Sequence, residues 1–100
     1  MVTFEDHVRR ALASLPQELR DAIRNVDISV EDEHPDDPDL LGLFQEDPYL
    51  PAKISIYRRP LEESFTDPQE LEDEIRITVL HELAHYFGID EERLEELGYE

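Results

Sequence analysis

Residues 67–88 read DPQELEDEIRITVLHELAHYFG, and this stretch decides the fold. Asp67 is expected to cap a helix, with Pro68 at its first position and Glu70 completing a capping-box pattern. Apolar residues then recur at helical spacing for about five turns, and Gly88 offers the stop. These residues are Leu71, Ile75, Val79, Leu80, Leu83, Ala84 and Phe87. With Ile77 widening the apolar stripe, the pattern predicts a long helix that is buried on most sides.

The rest of the chain alternates between helical and strand patterns. Apolar residues recur every three or four positions near the N-terminus and every second position further on. The predicted elements are helices over 3–15 and 16–25, strands over 26–30, 40–44 and 53–58, and a last helix over 91–97. Gly42 weakens the middle strand. Helices followed by strands and a long helix predict an α+β fold, a small mixed sheet packed against the long helix, in one domain over residues 1–100.

Charge excludes several classes of partner. The chain has 9 basic and 27 acidic residues, so its formal net charge is −18. That field repels nucleic acids and anionic membranes and attracts metal ions or basic polypeptides.

The chain has no cysteine, which excludes disulfides and thiolate zinc sites. No run is apolar enough to cross a membrane and no secretory leader is visible, so we expect a cytoplasmic protein.

The motif HELAH lies within the long helix and carries the chemistry. His81 and His85 are four residues apart, so their imidazoles share one helix face and can converge on one cation. Glu82 is rotated away from them and can reach a metal-bound water as a general base. Zinc is the ion that this set predicts. The alternative is that both histidines lie on an ordinary solvated strip. The other histidines, His7 and His34, have no partner at ligand spacing and are expected in solvent.

Four segments together resemble one known family. They are VEDE (30–33), LLGLF (40–44), ISIYRRPL (54–61) and TVLHELAHYFGIDEERLEELGY (78–99). These four segments resemble the zincin-like metallopeptidases, which are very small bacterial proteins also called minimal zincins. The resemblance implies a zincin-type α+β fold, a single zinc ion held through the pattern HExxHxxGxxD, and peptide-bond hydrolysis.

The resemblance also implies roles for individual residues. His81 and His85 become zinc ligands, Glu82 the catalytic base and Gly88 the turn residue. The aspartate of the pattern falls on Glu91, which keeps a carboxylate but adds one methylene of reach. The neighbouring Asp90 is the alternative third ligand, with a competing role as N-cap of the last helix.

A donor to the oxyanion of the attacked carbonyl would complete the site. Tyr99 is the first candidate, since the last helix can fold it back towards the zinc. Tyr86 is the second, although its position on the helix points it elsewhere.

The predicted partner is a peptide or protein substrate. In zincins an extended peptide adds to an exposed sheet edge, and residues 40–44 are our candidate edge, with a core strand as the alternative. The net charge predicts a preference for basic substrates, with solubility as the competing explanation. Two alternative functions remain open. One is a zinc site without catalysis, and the other is an acidic module that binds a basic protein.

Overall fold

The computed structural model describes residues 1–96, apart from the side chains of Glu91 and Leu94. In chain order the elements are α1 (Phe4–Ala13), α2 (Gln17–Ala22), a 3₁₀ turn (Ile23–Asn25), β1 (Val26–Glu31), β2 (Gly42–Gln45), β3 (Ala52–Tyr57), α3 (Arg58–Ser64), α4 (Pro68–Phe87) and α5 (Glu91–Glu96). The predicted α+β class is confirmed. No helix among residues 1–96 is both long and apolar enough to cross a bilayer.

The sheet has the order β1-β3-β2. β3 pairs in parallel with β1 and antiparallel with β2, so one edge of β2 has no strand partner among residues 1–96 and is called the free edge below. Period-two alternation places Ile54 and Ile56 of β3 on the inner face, where both are fully buried. The candidate edge predicted near residues 40–44 is therefore an edge strand, two residues shorter at its start and one longer at its end.

Helix α4 lies against the inner face of the sheet, and α1 packs on α4. The Asp67 carboxylate accepts hydrogen bonds from the backbone N–H groups of Gln69 and Glu70, at 3.1 and 3.0 Å. Gly88 adopts the left-handed conformation (φ 65°) that ends helices, and its N–H donates to the Ala84 carbonyl. The predicted caps are thus confirmed. The return bond from the Glu70 side chain, which a full capping box needs, is absent from the described residues.

The core forms where these layers meet. Its α4 members are the predicted apolar residues except Phe87, which is 46% exposed, and Ile77, which is half-buried and lies outside the core cluster. The prediction for Phe87 is wrong because in the last turn of α4 the Tyr86 ring packs on Phe44 of β2, and Phe87 contacts the exposed Tyr86 ring instead of the core.

Three further differences separate the prediction from the structure. Arg58 begins α3 rather than ending β3, and the sequence pattern did not predict this helix because Pro60 lies in its first turn. His7 is 8% exposed, not in solvent, because α1 turns that face onto α4. His34 is half-buried, with its ring edge-on to Tyr57 at 5.7 Å between centroids.

Candidate metal centre at the end of helix α4

His81 and His85 lie on the exposed face of α4, one helical turn apart. The neighbouring Leu80, Leu83 and Ala84 provide the burial that holds this part of the helix. Neither imidazole makes a hydrogen bond or an ion pair within the described part of the chain. Both rings are therefore available to a ligand from solvent.

Glu82 points in a different direction from the histidines, towards the sheet. Its Oε2 accepts a hydrogen bond from the backbone N–H of Phe44 on β2, at 3.1 Å. The side chain is half-buried. This bond joins residues 38 positions apart in sequence and fixes the carboxylate at the boundary between α4 and the edge strand.

Gly42 allows β2 to approach α4 closely enough for that bond. A Cβ atom on Gly42 would lie 2.5 Å from Cγ2 of Thr78 and 3.3 Å from the Ser55 carbonyl oxygen. Real Cβ atoms do not come so close to a side-chain carbon. The glycine that weakened the strand prediction is therefore needed where the strand and the helix nearly touch.

A shallow groove of about 350 Å³ opens beside His81 and Glu82. It is lined by Asp37, Asp39, Leu40, Leu41, Gly42, Thr78, His81 and Glu82. Within residues 1–96, none of its three carboxylates has a cationic partner. Asp37 accepts only from the backbone N–H of Asp39, at 3.1 Å. The groove therefore presents uncompensated negative charge next to His81.

The third-ligand candidates follow the Gly88 turn. Oδ1 of Asp90 accepts a hydrogen bond from the backbone N–H of Arg93 at 2.9 Å, so Asp90 caps α5. Glu91 is the first residue of α5, and its side chain is outside the described atoms. Tyr99 lies outside the described residues altogether. Among the side chains that are described, no three His, Asp or Glu residues gather around a common metal position.

Tyr86 points away from the groove and belongs to an aromatic cluster. Its ring stacks on Phe44 with 4.6 Å between centroids and contacts Phe87 at the same distance. Tyr86 is 41% exposed. It packs against the edge strand on the side where the strand meets the C-terminal turns of α4.

Three acids outside the groove, Glu31, Asp32 and Glu33, form ion pairs with Lys53, Arg58 and Arg59, and we call this cluster the ionic clamp. A hydrogen bond from the Ser55 hydroxyl (2.7 Å), together with Lys53, holds the pKa of Glu31 below its usual value. Arg58 lowers the pKa of Asp32, and its own pKa is raised by Asp32 and Glu62. Arg58 and Arg59 are thus both engaged in ion pairs within the fold.

Comparison with known proteins decides the family. The profile of a family described as zincin-like metallopeptidase matches residues 23–99. The chain belongs to this family. The match covers the sheet, α3, α4 and α5 and leaves α1 and α2 outside it, so the zincin-like part begins at the turn before β1.

A solved structure shares the fold. It is that of a conserved hypothetical protein from T. thermophilus, with a TM-score of 0.58 and 21% sequence identity over 85% of this chain and 91% of the other. At that identity the likeness concerns the fold alone. No curated protein matches the chain.

Zinc, the metal that a zincin-like fold implies, fits the donors at the end of α4. Two exposed imidazoles one turn apart, without a protein partner among the described residues, are nitrogen ligands of the kind that zinc takes. The half-buried carboxylate of Glu82 is held towards β2, in a different direction from the exposed imidazoles. One further ligand is needed, and residues 90 and 91 follow directly after the turn.

Two features of this site were not predicted from the sequence. The backbone N–H of Phe44, which binds Glu82, carries no side-chain signal and is not readable from a motif. The contribution of Asp37 and Asp39 to the groove depends on how the loop after β1 folds back. A glycine inside the apolar run LLGLF was the one available signal, since such a glycine marks a close backbone approach.

Proposed function

We propose that this zincin-like chain is a zinc-dependent peptidase that hydrolyses peptide bonds with Glu82 as general base. The observation that carries the proposal is the arrangement at the end of α4. There, two exposed histidines lie one turn apart, and a groove opens beside His81 and the half-buried Glu82, next to Gly42 at the start of β2.

In this proposal His81, His85 and Glu91 hold one zinc ion. The cap that Asp90 provides for α5 supports Glu91 over Asp90, because one carboxylate oxygen of Asp90 is already used. When bound, zinc supplies Lewis acidity, which activates water and polarises the amide carbonyl.

Glu82 takes a proton from the attacking water and later delivers it to the leaving amine. Its hydrogen bond to Phe44 holds the carboxylate at the boundary between α4 and β2, next to the groove. Tyr99 is the proposed donor to the oxyanion. The stacking of Tyr86 on Phe44 supports that assignment, because it turns Tyr86 away from the groove.

The proposed substrate is an extended peptide that pairs with the free edge of β2. Asp37 and Asp39 line the groove without a cationic partner among the described residues, which supports a preference for Lys or Arg in that peptide. The net charge argues against nucleic acids and anionic membranes as partners, and a cytoplasmic location stays a prediction.

The test is a comparison of the wild type with Glu82→Gln, both loaded with zinc and incubated with a diverse peptide library. We expect cleavage to fall by about 10²- to 10⁴-fold, because the base is removed, while bound zinc is unchanged. Glu63→Gln, at an exposed position of α3, is the matched control and should cleave like the wild type.

Two results would contradict the proposal. Zinc retention without cleavage of any library peptide by the wild type would indicate a non-catalytic zinc site. Equal cleavage by the wild type and Glu82→Gln would remove the base from the mechanism.

A further inference from the structure

The hydrogen-bonding pattern of β2 determines which of its amides face outwards. The N–H of Tyr57, at the end of β3, donates to the carbonyl of Leu41, just before β2, at 3.0 Å. Leu41 and Tyr57 are therefore a hydrogen-bonded pair of the ladder between the two strands. Antiparallel ladders alternate, and the register places Leu43 opposite Ser55 in the next bonded pair. The N–H and C=O groups of Gly42 and Phe44 therefore point to the free edge.

The outward N–H of Phe44 is already occupied by Oε2 of Glu82, at 3.1 Å. An extended peptide that pairs with this edge needs that donor for one of its own carbonyls. The proposed base and the proposed substrate thus compete for one backbone N–H.

We infer that Glu82 and the Phe44 N–H form an exchangeable lock on the edge strand. In the free protein the carboxylate caps the edge. When a peptide adds to β2, a peptide carbonyl accepts the Phe44 N–H and releases the Glu82 carboxylate into the groove beside His81. No covalent bond changes in this step, since one donor exchanges one acceptor for another. Phe44 acts here as a positioning residue, through its backbone and not its ring.

The lock deepens the proposed function and rests on it for the identity of the substrate. It has two physical consequences. A carboxylate on an otherwise open edge amide also blocks pairing with other copies of the chain, as inward-pointing charges do on natural edge strands. In addition, Glu82 is released to act as a base only when a peptide pairs with β2, so a free base is present only together with substrate.

The test needs no zinc. Protein labelled with ¹⁵N-phenylalanine is prepared zinc-free as the wild type, Glu82→Ala, Glu82→Gln and the control Glu63→Ala. The chain has four phenylalanines, so the Phe44 amide signal can be assigned by substitution. The probe is the lysine-bearing peptide Ac-Lys-Val-Thr-Val-Thr-Val-Lys-amide, titrated to millimolar concentration.

We expect Glu82→Ala to shift the Phe44 amide signal and speed its hydrogen exchange in the absence of peptide. Glu82→Gln should restore part of the protection, because its amide oxygen still accepts. Glu82→Ala should bind the probe about 3- to 30-fold more tightly than the wild type, since a competing acceptor is gone. Glu63→Ala should match the wild type in each measurement.

Several outcomes would overturn the lock. One is an unchanged Phe44 signal in Glu82→Ala. Another is that the peptide probe leaves the Phe44 amide signal of Glu82→Ala unperturbed, which would show that Glu82 only protects the strand edge and does not compete with a peptide. A third is equal probe affinity in both proteins. Because zinc is absent throughout, failure of the peptidase proposal appears separately, as missing zinc or missing cleavage.

Discussion

The ionic clamp and the groove are both rich in acids, but they use them differently. In the clamp, Glu31, Asp32 and Glu33 each contact a cation at 3.3 Å or less. In the groove, Asp37 and Glu82 accept only from backbone N–H groups among the described residues. In a chain of net charge −18, an acid that has a cationic partner contributes to the structure. The groove acids have no cationic partner within residues 1–96 and lie beside His81, where we expect a cation.

The largest effect that separates the two regions should come from Gly42→Ala. The added Cβ would meet Thr78 at 2.5 Å and push β2 away from α4 on the groove side only. We expect this overpacking to lower the free energy of unfolding by about 1–3 kcal/mol. Urea denaturation measures the loss. Thr78→Ser removes the clashing methyl group and should restore most of that loss in the double variant. A double variant no more stable than Gly42→Ala would show that this contact does not control the approach.

The groove acids should affect substrate choice more than stability. We expect Asp37→Asn with Asp39→Asn to slow cleavage of Lys- and Arg-rich peptides several-fold and to weaken its dependence on salt. The matched clamp variant, Glu33→Gln, should leave cleavage unchanged. Kinetics at two ionic strengths measure both effects. Faster cleavage of acidic than of basic peptides by the wild type would contradict the assignment.

The clamp should show the opposite behaviour. Arg58→Ala removes ion pairs to Asp32 and Glu62, both at 2.7 Å, and is expected to lower the melting temperature. The loss should shrink as salt is added. Arg24→Ala breaks only an exposed pair with Asp21 at 3.3 Å and should have a smaller effect. Equal melting temperatures for the two variants would mean that the clamp contributes no more than an ordinary surface pair.

The smallest expected effect is the contribution of Glu31, in the ionic clamp, to the pH dependence of the free energy of unfolding. The folded protein holds the pKa of Glu31 below 4.5, mainly through the Ser55 hydroxyl, so the unfolded chain binds more protons near that pH. The stabilisation is therefore complete above about pH 4.5 and is lost as the pH falls through the folded pKa. Thermal melts between about pH 3 and 6 should show a shallower slope for Ser55→Ala. An identical slope in both proteins would remove Ser55 as the cause.

The part of the fold that was predictable rests on local rules. Asp67, Pro68 and Gly88 marked the ends of α4, and period-two alternation marked β1 and β3. The HELAH spacing placed His81 and His85 on one face without any knowledge of the sheet. These features depend on neighbours in sequence, so one chain is enough to read them.

What was not predictable depends on contacts between distant residues. Phe87 is exposed and contacts Tyr86, whose ring stacks on Phe44 of β2, a residue 42 positions away from Tyr86 in sequence. The hydrogen bond from Phe44 to Glu82 requires the strand order, the register and the close approach at Gly42 together. The burial of His7 follows from the packing of α1 on α4; its spacing from Phe4 and Ala11 places it on the apolar face, but its contact with Glu72 of α4 is not readable from sequence.

Zinc binding tests the central claim most directly. Zinc-stripped wild type, His81→Ala, His85→Ala and the control His34→Ala are titrated with zinc, and bound metal is measured after dialysis. The wild type and His34→Ala should hold one zinc per chain, because His34 lies in the loop after β1. Each α4 variant should bind at least about 100-fold more weakly, since even outer partners of such sites contribute 10- to 100-fold. A wild type that binds no zinc, or α4 variants that bind it as tightly, would contradict the account.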